Sequence, residues 1–118
     1  IEQNKEIPVY NHGNCLRDYT YIDDIIQGIT NILFTPTLSY DIINLGESAT
    51  MSTLDLIKML ENLLNKQAKL TLLDSQQGDV DTTYADITHA KQTYNYTPNY
   101  PIEKGLEAFI HWFKNQKT

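Results

Sequence analysis

The chain has 118 residues, 41% of them hydrophobic and 20% charged, enough for a single soluble domain with a modest core. Its formal charge is −6, from 9 basic and 15 acidic side chains without a Lys/Arg cluster, which argues against nucleic acid, whose phosphates need a basic face. The one cysteine, Cys15, precludes an internal disulfide framework and fits a reducing cytoplasm, and no apolar run nears the roughly 20 residues that cross a bilayer.

The opening, Ile1 to Glu6, is polar and does not read as a signal peptide. It also lacks an initiator methionine, which fits a piece of something longer. Ile7 to Tyr10 reads as a short strand. Asn11 to Asn14 holds a glycine turn, from which Leu16 to Tyr19 is expected to pair back as a hairpin. Ile22, Ile25, Ile26, Ile29, Ile32 and Leu33 then fall at helical spacing, up to a stop before Pro36. Asp23 and Asp24 lie in that helix's first turn, where carboxylates offset the dipole.

Tyr40 to Leu45 is a continuous β-rich run ending at Gly46, and reads as a buried strand. Ser52-Thr53-Leu54-Asp55 has the form of a capping box and opens a helix to about Asn65. Leu70 to Leu73 is a further strand, and Asp74 to Asp81 a polar loop around Gly78. Tyr84 to Asp86 reads as a strand end, with Asp86 capping a short helix to about Tyr94. Pro101 suits the first position of a last helix with the apolar face Ile102, Leu106, Phe109, Ile110 and Phe113. Trp112 is expected to pack on that helix.

Helices thus alternate with short strands, which predicts a small mixed α/β domain over 1–118 with about four helices. The strands are too few and too short for a complete doubly wound sheet, and the pattern alone leads us to expect a missing half.

Arg17 is the only arginine, and its planar fork is the preferred side chain for gripping phosphate. The bland alternative is a surface ion pair with Asp18 or Asp24. His12 and Cys15 do not make a zinc site, which wants four ligands. Asp23 and Asp24 point in different directions from a helix start, so they are not a catalytic pair. The five glycines have no dinucleotide-binding spacing. A Tyr-x-x-x-Lys occurs at Tyr100 to Lys104, but Pro101 turns Tyr100 away from helical geometry, so the pair is read as coincidental.

Four segments carry a resemblance: Tyr10 to Gly28 (with RDYTYIDD), Asp41 to Met51, Gln76 to Asp86 (with GDVDTTYAD) and Tyr96 to Trp112. In this order they are similar to the smaller, C-terminal substrate-binding part of nucleotide-sugar epimerases of the extended short-chain dehydrogenase/reductase family. Within it the resemblance is to the branch that epimerises UDP-glucuronate at C4. It implies a parent enzyme whose N-terminal Rossmann half holds NAD and the catalytic residues; without that half, apolar surface meant to be buried is exposed, so a homo-oligomer is expected. None of the catalytic, cofactor or metal residues is then expected in this chain.

The resemblance assigns UDP-sugar binding to Arg17, Tyr19, Gln76 and Asp79. Arg17 would take phosphate or ribose oxygens, Tyr19 would donate a hydrogen bond, Asp79 would accept from ribose hydroxyls and Gln76 would bond phosphate or ribose. Gln76 stands where many relatives have arginine, so phosphate binding leans on Arg17. Tyr100 replaces a common threonine and so loses a helix cap. His12 belongs to the family's Y-N-H-G turn and reads as structural. Two other readings stand beside this one. One is the same domain from a UDP-galactose 4-epimerase, UDP-xylose synthase or dTDP-glucose dehydratase. The other is a stand-alone, non-catalytic binding or assembly module.

Overall fold

The computed structural model describes residues 1–36 and 40–116. In chain order these form β1 (Glu6–Val9), a 3-10 turn (Tyr10–Gly13), β2 (Leu16–Arg17), α1 (Ile22–Phe34), β3 (Met51–Ser52), α2 (Thr53–Leu64), β4 (Lys69–Leu72), α3 (Thr88–Tyr94) and α4 (Ile102–Asn115). This is the expected mixed α/β architecture, four helices with few short strands.

The strands pair with distant partners. β1 and β4 run parallel, from Glu6 opposite Lys69 to Val9 opposite Leu72. β2 runs antiparallel to β3, Leu16 opposite Ser52 and Arg17 opposite Met51. The expected hairpin between β1 and β2 does not form. Asn11, His12 and Gly13 all take positive φ (48°, 51° and 79°), and this left-handed turn sends β2 away from β1 instead of folding it back. Gly13 is required twice over, because a Cβ there would also lie 2.4 Å from Leu54 Cγ.

The helices follow their patterns. α1 ends at Phe34, ahead of Pro36. In α2 the Ser52 hydroxyl accepts from the Asp55 amide at 3.0 Å, as the capping box predicts. α4 opens one residue later than expected, after Pro101, and has no side-chain cap. Tyr100 therefore lies outside the helix, with its ring 4.7 Å from that of Tyr21, so Tyr100 and Lys104 are not one helical turn apart. Leu106 and Ile110 of α4 are buried, whereas Phe109 and Trp112 pack on each other and stay about half exposed.

Two strand expectations fail. Tyr40 to Leu45 is not a strand among the described residues: its sequence favours extension, but no neighbour supplies a ladder, and Tyr40 and Ile42 face solvent. Ile43 and Leu45 do pack inward, on the cluster of Ile87, Ala90 and Tyr96. Tyr84 to Asp86 is irregular too, the nearest bridge being Leu16 to Thr82. Asp86 accepts from the Thr88 amide at 2.9 Å, one position outside the formal cap. The molecule is flat, 49 × 38 × 21 Å.

Candidate functional site

β2 sits between two backbone neighbours. On one side is β3. On the other, the Leu16 amide donates to the Asp81 carbonyl (2.8 Å) and the Thr83 amide to the Leu16 carbonyl (3.0 Å). This three-way junction brings the polar loop 74–81 over Arg17.

Arg17 and Asp79, 62 positions apart, meet there: Nη2 lies 2.7 Å from Oδ1. Nη1 donates to the carbonyls of Leu16 (2.9 Å) and Asp81 (3.4 Å). The partner expected under the bland reading, Asp18 or Asp24, is not the one found. Because the pair is partly solvated, it holds Arg17 in place more than it stabilises the fold. Asp79 is positioned by a tight turn in which its amide donates to the Gln76 carbonyl at 3.1 Å. Gly78 takes φ +87° at the third position, with nothing within 4 Å of a would-be Cβ, so glycine is needed for conformation, not for space. Gln76 opens this turn and is exposed.

Tyr19 is not joined to the pair by a hydrogen bond among the described residues. It lines a pocket of about 240 Å³ with Glu47, Met51, Pro101 and Ile102. Of the four expected site residues, the fold therefore gathers Arg17, Asp79 and Gln76 and sets Tyr19 to one side. The turn before β2 supports the cluster: Asn11 Nδ2 donates to Cys15 Sγ (3.4 Å) and to Asp81 (3.5 Å), and the Cys15 thiol donates to Asp79 Oδ2 (3.8 Å). His12 serves through its backbone, its amide donating to the Leu73 carbonyl at 3.0 Å.

Two carboxylates do work that the sequence pattern conceals. Asp18 accepts from the amides of Glu47 (2.9 Å), Ser48 (3.1 Å) and Ala85 (3.0 Å), tying loop 46–48 to the strand that carries Arg17. Asp24, 2% exposed, accepts from the amides of Asn99 (2.9 Å) and Tyr100 (3.0 Å). It thus fixes the entry to α4 and does not act on its own helix dipole alone. Gly46 lets Asp18 close: a Cβ there would sit 2.5 Å from Ala85 Cβ and 2.9 Å from Asp18 Oδ2.

Near these acids, burial first and then the charges of Asp24 and Asp18 push the Glu47 carboxyl upward. Tyr96, fully buried with its hydroxyl donating to the Gly46 carbonyl at 2.9 Å, is pushed up to about 12, chiefly by burial. Elsewhere, hydrogen bonds from Tyr94 and then His89 hold the Asp41 carboxyl below its usual range. Among the described residues, no three His, Cys, Asp or Glu side chains converge as metal ligands, and no helix is long and apolar enough to cross a membrane.

No family model matches the chain. An uncharacterized protein of Methanocaldococcus jannaschii is 42% identical over 96% of this chain and 34% of its own length. The UDP-glucuronate 4-epimerase of Thermodesulfobacterium geofontis is 40% identical over 97% of this chain and 35% of that enzyme. Among solved structures, the Bacillus cereus UDP-glucuronic acid 4-epimerase in complex with UDP-glucuronic acid and NAD superposes with a TM-score of 0.88 at 35% identity. That match takes in 97% of this chain and 37% of the Bacillus chain. The chain is similar, over nearly its whole length, to one part of UDP-glucuronate 4-epimerases and of other epimerases of the extended short-chain dehydrogenase/reductase family. It spans about a third of the length of the relatives it matches. Likenesses to a UDP-glucose 4-epimerase (22% identical) and a dTDP-glucose 4,6-dehydratase (19%) bear on the fold alone.

Proposed function

We propose that residues 1–118 are the substrate-binding domain of an NAD-dependent UDP-sugar 4-epimerase of the UDP-glucuronate type. The observation that carries this is the meeting of Arg17 and Asp79 at 2.7 Å where β2 pairs with β3 and bridges to Thr82, with Gln76 on the same turn as Asp79. Two guanidinium nitrogens are steadied by protein oxygens. The remaining N–H donors of the fork are left for the oxygens of a diphosphate. Asp79, while steadying Arg17, keeps acceptor capacity for ribose hydroxyls. NAD and the redox step belong to the other part of the parent enzyme. This domain contributes positioning: it holds the UDP handle while the sugar is oxidised at C4, turns and is reduced on its other face.

Calorimetric titration with UDP tests this reading. Arg17→Ala should weaken binding by about 10- to 100-fold, the loss of a charged hydrogen bond or two. Arg17→Lys should restore only part, because an ammonium cannot donate the parallel pair. UDP affinity that is indifferent to Arg17→Ala would refute the assignment. The chain alone should show no turnover of UDP-glucuronate with added NAD, and any turnover that tracks the purified protein would refute the division of labour.

A further inference from the structure

Loop 74–81 carries Gln76 and Asp79, yet burial does not hold it. Every residue from Asp74 to Asp81 is exposed, so the place of the loop rests on polar contacts. Its backbone is tied at the two ends: the His12 amide donates to the Leu73 carbonyl (3.0 Å) and the Leu16 amide to the Asp81 carbonyl (2.8 Å). Between those ties, the bond from the Asp79 amide to the Gln76 carbonyl shapes the turn without anchoring it. The Asp79 carboxylate is anchored on Arg17, with the Cys15 thiol a longer contact at 3.8 Å. A ligand that draws the Arg17 fork toward its own oxygens competes with that anchor.

A second anchor, independent of Arg17, comes from one side chain. Asn11 Oδ1 accepts from the Ser75 hydroxyl at 3.0 Å, and Nδ2 donates to Asp81 Oδ1 at 3.5 Å and to Cys15 Sγ at 3.4 Å. Ser75 and Asp81 bracket Gln76 and Asp79, so a single amide group closes the neck of the loop. The orientation follows from the partners: a carboxylate only accepts, so the NH₂ must face Asp81, which leaves the carbonyl oxygen for Ser75. The residue type follows as well. Position 11 stands at φ 48°, ψ 35°, in the left-handed region that asparagine tolerates better than most side chains. Glutamine carries the same group one methylene further out. Aspartate has no donor and would add a carboxylate beside Asp79 and Asp81. His12 does not duplicate the contact, since its Nε2 lies 3.8 Å from Asp74 Oδ1, an exposed pair that is ionic only when the imidazole is protonated.

We propose that Asn11 is a positioning residue of the UDP-binding site: it staples the neck of loop 74–81 and so holds Asp79 and Gln76 over Arg17. The proposal rests on the preceding reading for the identity of the ligand. Asn11 acts through the loop and not by touching the ligand. It removes loop freedom before binding, so the ordering cost is not subtracted from affinity.

Asn11→Gly tests this, because glycine keeps the left-handed turn and deletes only the side chain. Two readouts are taken on this chain: NMR relaxation of the 76–79 backbone amides, and calorimetric titration with UDP beside an Arg17→Ala control. Order parameters of those amides are expected to fall from about 0.85 in the native chain to below about 0.6 in Asn11→Gly. The UDP dissociation constant is expected to rise about 10-fold, with the melting temperature within about 3 °C of the native value. Ser75→Ala combined with Asn11→Gly is expected to bind UDP as Asn11→Gly does alone, because both remove one staple. A merely structural role would lower the melting temperature and leave UDP affinity in place. Order parameters that do not change in Asn11→Gly overturn the proposal. So does a larger fall in melting temperature, which assigns Asn11 to folding. UDP binding that depends on Arg17 and ignores Asn11→Gly overturns the proposal and leaves the functional reading standing. Absent UDP binding, or binding that ignores Arg17→Ala, refutes the functional reading, and the relaxation data then decide the staple by themselves.

Discussion

Asp24 offers the sharpest test of how this fold holds its last helix. If Asp23 and Asp24 merely offset the dipole of α1, replacing either with asparagine should cost the same, about 0.3–1 kcal/mol. The structure predicts a large asymmetry. Asp24 is 2% exposed and receives two backbone N–H groups, from Asn99 and Tyr100. In Asp24→Asn one carbonyl oxygen can still accept one of them, but the new amide N–H₂ faces the other donor. One charge-assisted bond is lost and one buried N–H is left unsatisfied, together about 2–4 kcal/mol. For a domain of this size that lowers the melting temperature by about 10–15 °C. Asp23 is exposed, so Asp23→Asn should stay below about 1 kcal/mol. Urea unfolding followed by circular dichroism gives both values, and hydrogen exchange at Asn99 and Tyr100 should accelerate only in Asp24→Asn. Equal, small costs for the two variants would refute the reasoning.

Other perturbations have equally definite directions. Gly46→Ala drives a methyl into Ala85 and the Asp18 carboxylate; because Ala85 Cβ cannot swing away, the variant should lose about 1–3 kcal/mol in urea unfolding, and unchanged stability would contradict the packing. Ser52→Ala removes the cap on α2 and should cost about 1 kcal/mol in the same assay. Because Tyr94 and His89 hold the Asp41 carboxyl below its ordinary value of 3.8, the unfolded chain takes up that proton first. The contact therefore stabilises fully above the ordinary range and is lost as pH falls through the depressed folded value. The stability gap between the native chain and Asp41→Asn should close as pH is lowered from about 7 to about 2.5, and a gap that stays constant would count against the latch.

The helices were legible because their information is local. The 3.6-residue period of α1 and α4, the Pro36 stop and the Ser52 box each need only a dozen residues of context. The strands were not, because pairing is decided far away: β1 finds β4 some sixty residues on, while Tyr40 to Leu45 finds no ladder among the described residues. At the candidate site, Arg17 stood out as the only arginine, and loop 74–81 stood out by its glycine. Their contact could not be read, since nothing local says that Asp81 and Thr83 bond to Leu16. Asp18 and Asp24 escaped for another reason. Their partners are main-chain amides, which every residue but proline has, so no residue type marks them.

Cys15 gives this site a built-in clock. Cys15 is buried, 6% exposed, and its thiol lies against the polar loop, within reach of Asp79 and Asn11. No other sulfhydryl exists in the chain to compete for reagent. The rate at which an alkylating dye labels the native protein therefore counts the excursions of loop 74–81 away from Arg17, without any engineered reporter. Slower labelling in the presence of UDP would record loop closure on a ligand in the same flask.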